Sequence, residues 1–205
     1  MSARHILEIA PVIPVLVIDE PDTAVDLAKA LLDGGLSVLE ITLRTPEAFA
    51  AIARIKSETD AVVGAGTVNT LEQLEQCVQH KVDFMVSPGL YLPLVAEAQK
   101  HNVPYLPGIA TATDALTAIN AGLDTLKFFP AEQNGGIPML KALGGPYQDL
   151  RFCPTGGIGP HNYLDYLALP EVKCVGGSWV APRDLVLKKD WQAITRLARN
   201  AADRK

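Results

Sequence analysis

Lys127 stands in "TLKFFP" between Leu126, Phe128 and Phe129, a run that reads as a buried strand ended by Pro130. Burying an unpaired ammonium costs on the order of several kcal/mol, so this lysine needs a partner or a use. Its counterpart is Glu40 in "LEITLRT". Strand alternation places Glu40, Thr42 and Arg44 on one face and Leu39, Ile41 and Leu43 on the other. Two readings of the lysine stay open. In one, Lys127 and a carboxylate such as Glu40 form an internal ion pair that only holds structure. In the other, desolvation and a nearby cation such as Arg44 favour the neutral amine, which attacks a carbonyl to form a Schiff base.

Other strand ends carry polar or glycine-rich sequence. "PTGGIGP" brings Gly156 and Gly157, and "VGGSW" brings a second glycine pair followed by Ser178. Glycine pairs let backbone N–H groups approach an anion, and the Ser178 hydroxyl adds a donor. Either pair alone is equally consistent with a tight turn. Together, in the loops after a seventh and an eighth strand, they predict a phosphate site. Thr67, closing "GAGT", reads either as a donor to a carboxylate or as a helix N-cap, and Pro88 in "SPG" reads first as a turn former. His5, His80, His101 and His161 are scattered and form no HxH or HExxH pattern, so neither a metal nor any other cofactor is expected. Glu132, the nearest second carboxylate, reads as a residue that orders its loop.

The elements that must position these groups follow one rhythm. Eight short apolar runs span 11–18, 37–43, 61–67, 84–89, 103–109, 125–130, 151–157 and 172–178, with helical patterns between them. Val25, Leu27, Ala28, Leu31 and Leu32 share a helix face that stops at Gly34 and Gly35. Thr45 followed by Pro46 predicts a helix start, and Thr70 with Gln73 predicts a capping box. Near-continuous apolar strands alternating with helices indicate a parallel sheet covered on both faces. Eight such units predict an α/β fold: a single compact (β/α)8 TIM barrel over residues 1–205. "SARHILEIA" is expected to add an N-terminal helix across its bottom, and a doubly wound open sheet is the alternative. In a barrel the chemistry lies at the C-terminal strand ends, where the residues above fall.

The chain has 205 residues, 48% hydrophobic and 20% charged, with a net charge of −5 and no basic stripe, which argues against a nucleic-acid partner. Cys77, Cys153 and Cys174 are odd in number and lack CxxC spacing, as expected of reduced thiols. No apolar run reaches the roughly 18 residues of a membrane span, and no signal-peptide pattern opens the chain, so a cytoplasmic location is expected.

"EITLRT", "GAGT", "SPG", "KFFPAE", "FCPTGGI" and "GGSW", in this order over nearly the whole chain, resemble the 2-keto-3-deoxy-6-phosphogluconate (KDPG) aldolase family. These class I pyruvate aldolases of the Entner–Doudoroff pathway are often also active on 4-hydroxy-2-oxoglutarate. The resemblance implies a (β/α)8 barrel, usually a homotrimer, with pyruvate and glyceraldehyde 3-phosphate as products. It implies Lys127 as the Schiff-base residue and Glu40 as the general acid/base. Arg44 and Thr67 would hold the pyruvate carboxylate, with Phe129 and Pro88 lining that pocket. Thr155, Gly156, Gly157 and Ser178 would hold the sugar hydroxyls and the distal phosphate. A 6-phosphogalactonate aldolase, or a phosphate-binding isomerase or epimerase in which Lys127 only neutralises charge, are the alternatives.

Overall fold

The computed structural model describes residues 2–204. Its strands are β1 (Val12–Leu16), β2 (Val38–Thr42), β3 (Val62–Gly66), β4 (Phe84–Val86), β5 (Tyr105–Leu106), β6 (Gly108–Ile109), β7 (Thr125–Phe128), β8 (Arg151–Pro154) and β9 (Val175–Gly177). Every strand pairing is parallel, in the order β5-β4-β3-β2-β1-β9 and then β6-β7-β8. Bridges from Phe152 to Val172 and from Thr155 to Gly176 join β8 to the β9 segment and close the ring. The predicted barrel is therefore present, and the open-sheet alternative is not.

The fifth predicted strand, 103–109, is divided. Pro107 lies between β5 and β6, and with no N–H it cannot donate to a ladder. Its carbonyl still accepts from the Lys127 N–H at 2.9 Å. β5 and β6 thus act as two halves of one barrel position, β5 pairing with β4 and β6 with β7.

Ten α-helices are present among the described residues, with short 3-10 turns at Pro21–Thr23 and Glu132–Asn134: α1 (Ala3–Ile9), α2 (Ala24–Asp33), α3 (Ala48–Glu58), α4 (Leu71–Gln79), α5 (Leu92–Lys100), α6 (Ala112–Asn120), α7 (Gly136–Gly144), α8 (Tyr163–Leu167), α9 (Arg183–Leu187) and α10 (Trp191–Ala202). None is long and apolar enough to cross a membrane. Period-2 alternation divides the apolar residues into two cores. Leu39, Ile41, Leu126 and Phe128 pack outward beneath the helices. Ile13, Val38, Phe84, Val86, Leu106, Cys153 and Cys174 form a smaller inner cluster, against which α1 sets Ile6 and Leu7. The extra N-terminal helix thus closes the end of the barrel opposite the strands' C-terminal ends. Phe84 fits inside because its neighbour is Gly64, where any Cβ would overlap the ring. Full burial of such a side chain stabilises the fold by about 1.5–3 kcal/mol.

Local signals mostly act as expected. α2 ends at Gly34, followed by Gly35 at φ +90°. Thr70 caps α4 by accepting from the Gln73 N–H at 3.1 Å, while the Gln73 side chain reaches back to the Asn69 N–H rather than to that of Thr70. Thr45, however, is not a helix cap. α3 begins at Ala48 after Glu47, and the Thr45 hydroxyl donates to the Ile18 carbonyl at 2.7 Å. A tertiary hydrogen bond that ties the end of β2 to the segment after β1 has taken the place of the local one.

Candidate active site

β2 and β7 stand opposite each other in the ring, with three strand positions between them on either side. Each sends one charged side chain inward. Lys127 and Glu40 are 6% and 4% exposed, and the Lys127 Nζ lies 3.4 Å from the Glu40 Oε1. The distance exceeds the 2.7–2.9 Å of a tight charge-assisted hydrogen bond, so the pair is close enough to compensate charge without being locked. Lys127 also lies 5.2 Å from the centroid of the half-buried Phe129 ring, within cation–π range.

Room for the Glu40 carboxylate comes from β3. A Cβ on Gly66 would lie 2.7 Å from the Glu40 Cγ and 2.8 Å from its Cδ, so only glycine leaves the carboxylate in place. Sequence reasoning took "GAGT" as a way to deliver Thr67 and missed this function of Gly66. The signal was available in the register, since Gly66 pairs with Thr42, two residues beyond Glu40 on the adjacent strand.

Thr67 follows with φ +61°, left-handed backbone that a β-branched residue adopts only under strain. It is not an N-cap, because Thr70 performs that function for α4. Pro88 is exposed at the end of β4, and its carbonyl carbon packs so closely over Gly108 that a Cβ there would overlap it. The same turn is held by Ser87, whose hydroxyl donates to the Gly89 carbonyl at 2.7 Å and meets the Tyr105 hydroxyl at 2.6 Å. Burial pushes the Tyr105 phenol up to about 12, so it stays protonated across the physiological range. Neither Ser87 nor Tyr105 carried a sequence signal, as both look like ordinary strand residues.

At the ends of β8 and β9, Thr155 is buried against Gly176, where a Cβ would overlap its side chain. Gly156 and Gly157 follow at φ +104° and +75°, a double left-handed turn that requires glycine. Gly177 leaves space for the Trp179 ring, and Ser178 is exposed. Ser178 and Arg44 line one cavity of about 460 Å³, together with Val15, Asp19, Thr45 and Arg183. Arg44 itself is exposed at the rim rather than buried beside Lys127. The structure therefore brings Lys127 against Glu40 on one hand and near the Phe129 ring on the other, and sets Arg44 and Ser178 around a common cavity. Thr67, Pro88, Thr155, Gly156 and Gly157 lie at the C-terminal ends of their strands or in the loops that follow.

A closed parallel barrel with a buried amine and carboxylate facing each other across its axis is a site equipped for carbonyl attack and proton transfer. The family model described as "Aldolase: KDPG and KHG aldolase" matches residues 3–197, and the chain belongs to that family. It is 48% identical over 203 residues to the KHG/KDPG aldolase of Escherichia coli (strain K12), covering 98% of this chain and 95% of that one. The KDPG aldolase of Legionella pneumophila, solved with pyruvate captured as a covalent carbinolamine intermediate, superposes with a TM-score of 0.96 at 42% identity, covering 98% of both chains. The 2-keto-3-deoxy-6-phosphogluconate aldolase of Zymomonas mobilis ZM4 with 3-phosphoglycerate gives 0.95 at 46% identity, over 99% of this chain and 96% of that one.

The tight seat of Glu40 generates a test that leaves both charged residues unchanged. Gly66→Ala is expected to push the Glu40 carboxylate off its position and lower aldol-cleavage kcat by about 10²-fold, the lower end of what a positioned proton-transfer group supplies. Steady-state kinetics on folded variant would check it; an undiminished kcat would show that the position of Glu40 is immaterial.

Proposed function

We propose that this protein is a class I aldolase that cleaves 2-dehydro-3-deoxy-6-phosphogluconate to pyruvate and D-glyceraldehyde 3-phosphate, and that it also accepts 4-hydroxy-2-oxoglutarate. The observation that carries this reading is the Lys127–Glu40 contact across the barrel axis. A purely structural ion pair would be an expensive way to fill this position, since apolar replacements of buried pairs are often as stable or more so.

In the mechanism, Glu40 takes a proton from Lys127, the freed amine attacks the C2 ketone, and Glu40 relays protons as the carbinolamine loses water to give the iminium. Glu40 then takes the proton of the C4 hydroxyl while the C3–C4 bond breaks and its electrons pass into the iminium. Glyceraldehyde 3-phosphate departs. The enamine left behind is protonated at C3 and hydrolysed, releasing pyruvate and the free lysine. Proton transfer of this kind contributes about 10²–10⁴-fold, and the covalent route itself depends on Lys127.

Arg44 fits the pyruvate carboxylate because its guanidinium offers two parallel donors that a lysine cannot reproduce. Thr67, strained at its strand end, adds a hydroxyl on the same side, and Phe129 and Pro88 wall the pocket. Thr155 takes a sugar hydroxyl. Gly156, Gly157 and Ser178 take the distal phosphate, supported by the left-handed glycine turn and by the exposed Ser178 hydroxyl in the cavity. The reading involves no metal or other cofactor.

We read the working unit as one barrel domain in a cytoplasmic homotrimer. Exposed Tyr91 and Leu92 on one segment, and Leu116 and Ile119 one turn apart on α6, offer apolar surface for subunit contact. The three cysteines are free and buried, in keeping with a reducing compartment. Light scattering should report three times the 21.9 kDa chain mass, and a monomer would remove the trimer from this reading.

Borohydride reduction in the presence of pyruvate, followed by peptide mass mapping, tests the activity class. The expected product is a reduced pyruvyl adduct on Lys127. Its absence from folded, substrate-binding protein would sink the Schiff-base assignment and favour a barrel in which the lysine only balances charge.

A further inference from the structure

Tyr166 on α8 is completely buried, yet its hydroxyl donates to the Glu132 Oε1, 34 residues back in the chain and just beyond β7. Burial, and then the Glu132 carboxylate itself, push the Tyr166 phenol well above its ordinary range, so it remains a donor at any working pH. The acceptor belongs to a mostly exposed residue at the edge of the Gly156–Gly157 turn. The Glu132 N–H donates to the Gly156 carbonyl at 3.1 Å, and the Ala131 N–H donates to the Thr155 carbonyl at 2.8 Å. The Glu132 side chain then lies directly against the next residue: a Cβ on Gly157 would come within 2.6 Å of the Glu132 Cγ and 2.7 Å of its Cβ. The carboxylate and the phenol meet beside Gly136, where an added Cβ would be 3.1 Å from the Glu132 Oε1 and 3.0 Å from the Tyr166 hydroxyl. Asn162 secures the same turn from its far side, donating to the Gly157 carbonyl at 3.3 Å and accepting from the Gly159 N–H at 2.9 Å.

We propose that the Tyr166–Glu132 pair is a brace that fixes the Gly156–Gly157 backbone in its anion-binding form, which makes both of them positioning residues for phosphorylated substrate. This rests on the reading of that turn as the phosphate site. The physical reasoning has two parts. Two successive glycines in left-handed backbone lose more freedom on ordering than any other pair, so their shape has to be imposed from outside. The Glu132 methylenes supply the surface, and Tyr166 keeps them there. The brace also ties down a carboxylate that, released beside this turn, would repel an incoming phosphate.

The test compares phosphorylated 2-dehydro-3-deoxygluconate with 4-hydroxy-2-oxoglutarate, which carries no phosphate, as substrates of the full-length enzyme. Tyr166→Phe keeps the buried ring and removes only the donor. Its KM for the phosphorylated substrate should rise about tenfold, the scale of one hydrogen bond to a charged group, with kcat and both constants for the unphosphorylated substrate within about twofold. Glu132→Ala should show the same selectivity and decides the matter if Tyr166→Phe does not fold. Glu132→Gln keeps the methylenes and an acceptor for the phenol and should retain the low KM. Ser178→Ala serves as the control for the site itself. If Ser178→Ala shifts the ratio of the two KM values but Tyr166→Phe and Glu132→Ala do not, the brace is wrong and the phosphate site stands. If all three leave the ratio unchanged, the phosphate reading falls and the brace with it. Equal losses on both substrates would mean a purely structural contact, which also overturns the proposal.

Discussion

One buried charge pair governs how this barrel can be built. Lys127 and Glu40 are both almost completely removed from water, and removing either partner alone would leave an uncompensated charge at a cost of about 3–5 kcal/mol. They meet only because β2 and β7 are diametrically opposite in a closed ring, at a height where Gly66 leaves room for the carboxylate. Closure, register and that one glycine are therefore conditions on the site as well as on the fold. Had β7 slipped by one residue, Lys127 would point into the outer apolar core and Leu126 or Phe128 into the mouth.

The two ends of the barrel divide stability from chemistry. Toward the bottom, α1 sets Ile6 and Leu7 against an inner apolar layer that includes Phe84 and reaches up to Cys153, level with Lys127, and Cys174. Burial raises the Cys174 thiol well above its ordinary range, and the neighbouring Cys153 raises it further, so it stays protonated there. At the top, the inward positions turn polar, the backbone includes strained Thr67, and the Gly156–Gly157 turn packs closely against Pro130 and Glu132. The packed lower half supports an upper half that holds an amine and a carboxylate 3.4 Å apart.

Much of this was legible in the sequence because it depends on period and punctuation. Alternation in "LEITLRT" separated Glu40 from Leu39 and Ile41, and alternation in "TLKFFP" separated Lys127 from Leu126 and Phe128; the inner and outer cores follow that division. The eight apolar runs likewise correspond to the ring, and Gly156–Gly157 to one of its upper loops, whereas Gly176 and Gly177 lie within β9, paired with β1 rather than free in a loop. What escaped depends on partners distant in the chain. Thr45 has good N-cap chemistry but bonds to Ile18, and "VPYLPGI" reads as one strand although Pro107 divides it. Arg44 has the right parity, yet parity says nothing about how far past the strand end a side chain rises, and it stands exposed at the rim. The Tyr166–Glu132 contact had no local signature, because it is made by a helix returning over a loop.

The central claim is that Lys127 and Glu40 act as one unit, the amine activating pyruvate and the carboxylate moving its proton. Exchange of deuterium into the methyl group of pyruvate in D2O, followed by NMR, isolates that unit from the aldehyde half of the reaction. The account predicts ready exchange by the unmodified enzyme. For Glu40→Gln it predicts exchange slower by about 10²–10⁴-fold, although pyruvate still forms a reducible adduct on Lys127. Undiminished exchange by Glu40→Gln would contradict it, leaving the buried pair a structural contact and placing the proton-transfer group elsewhere.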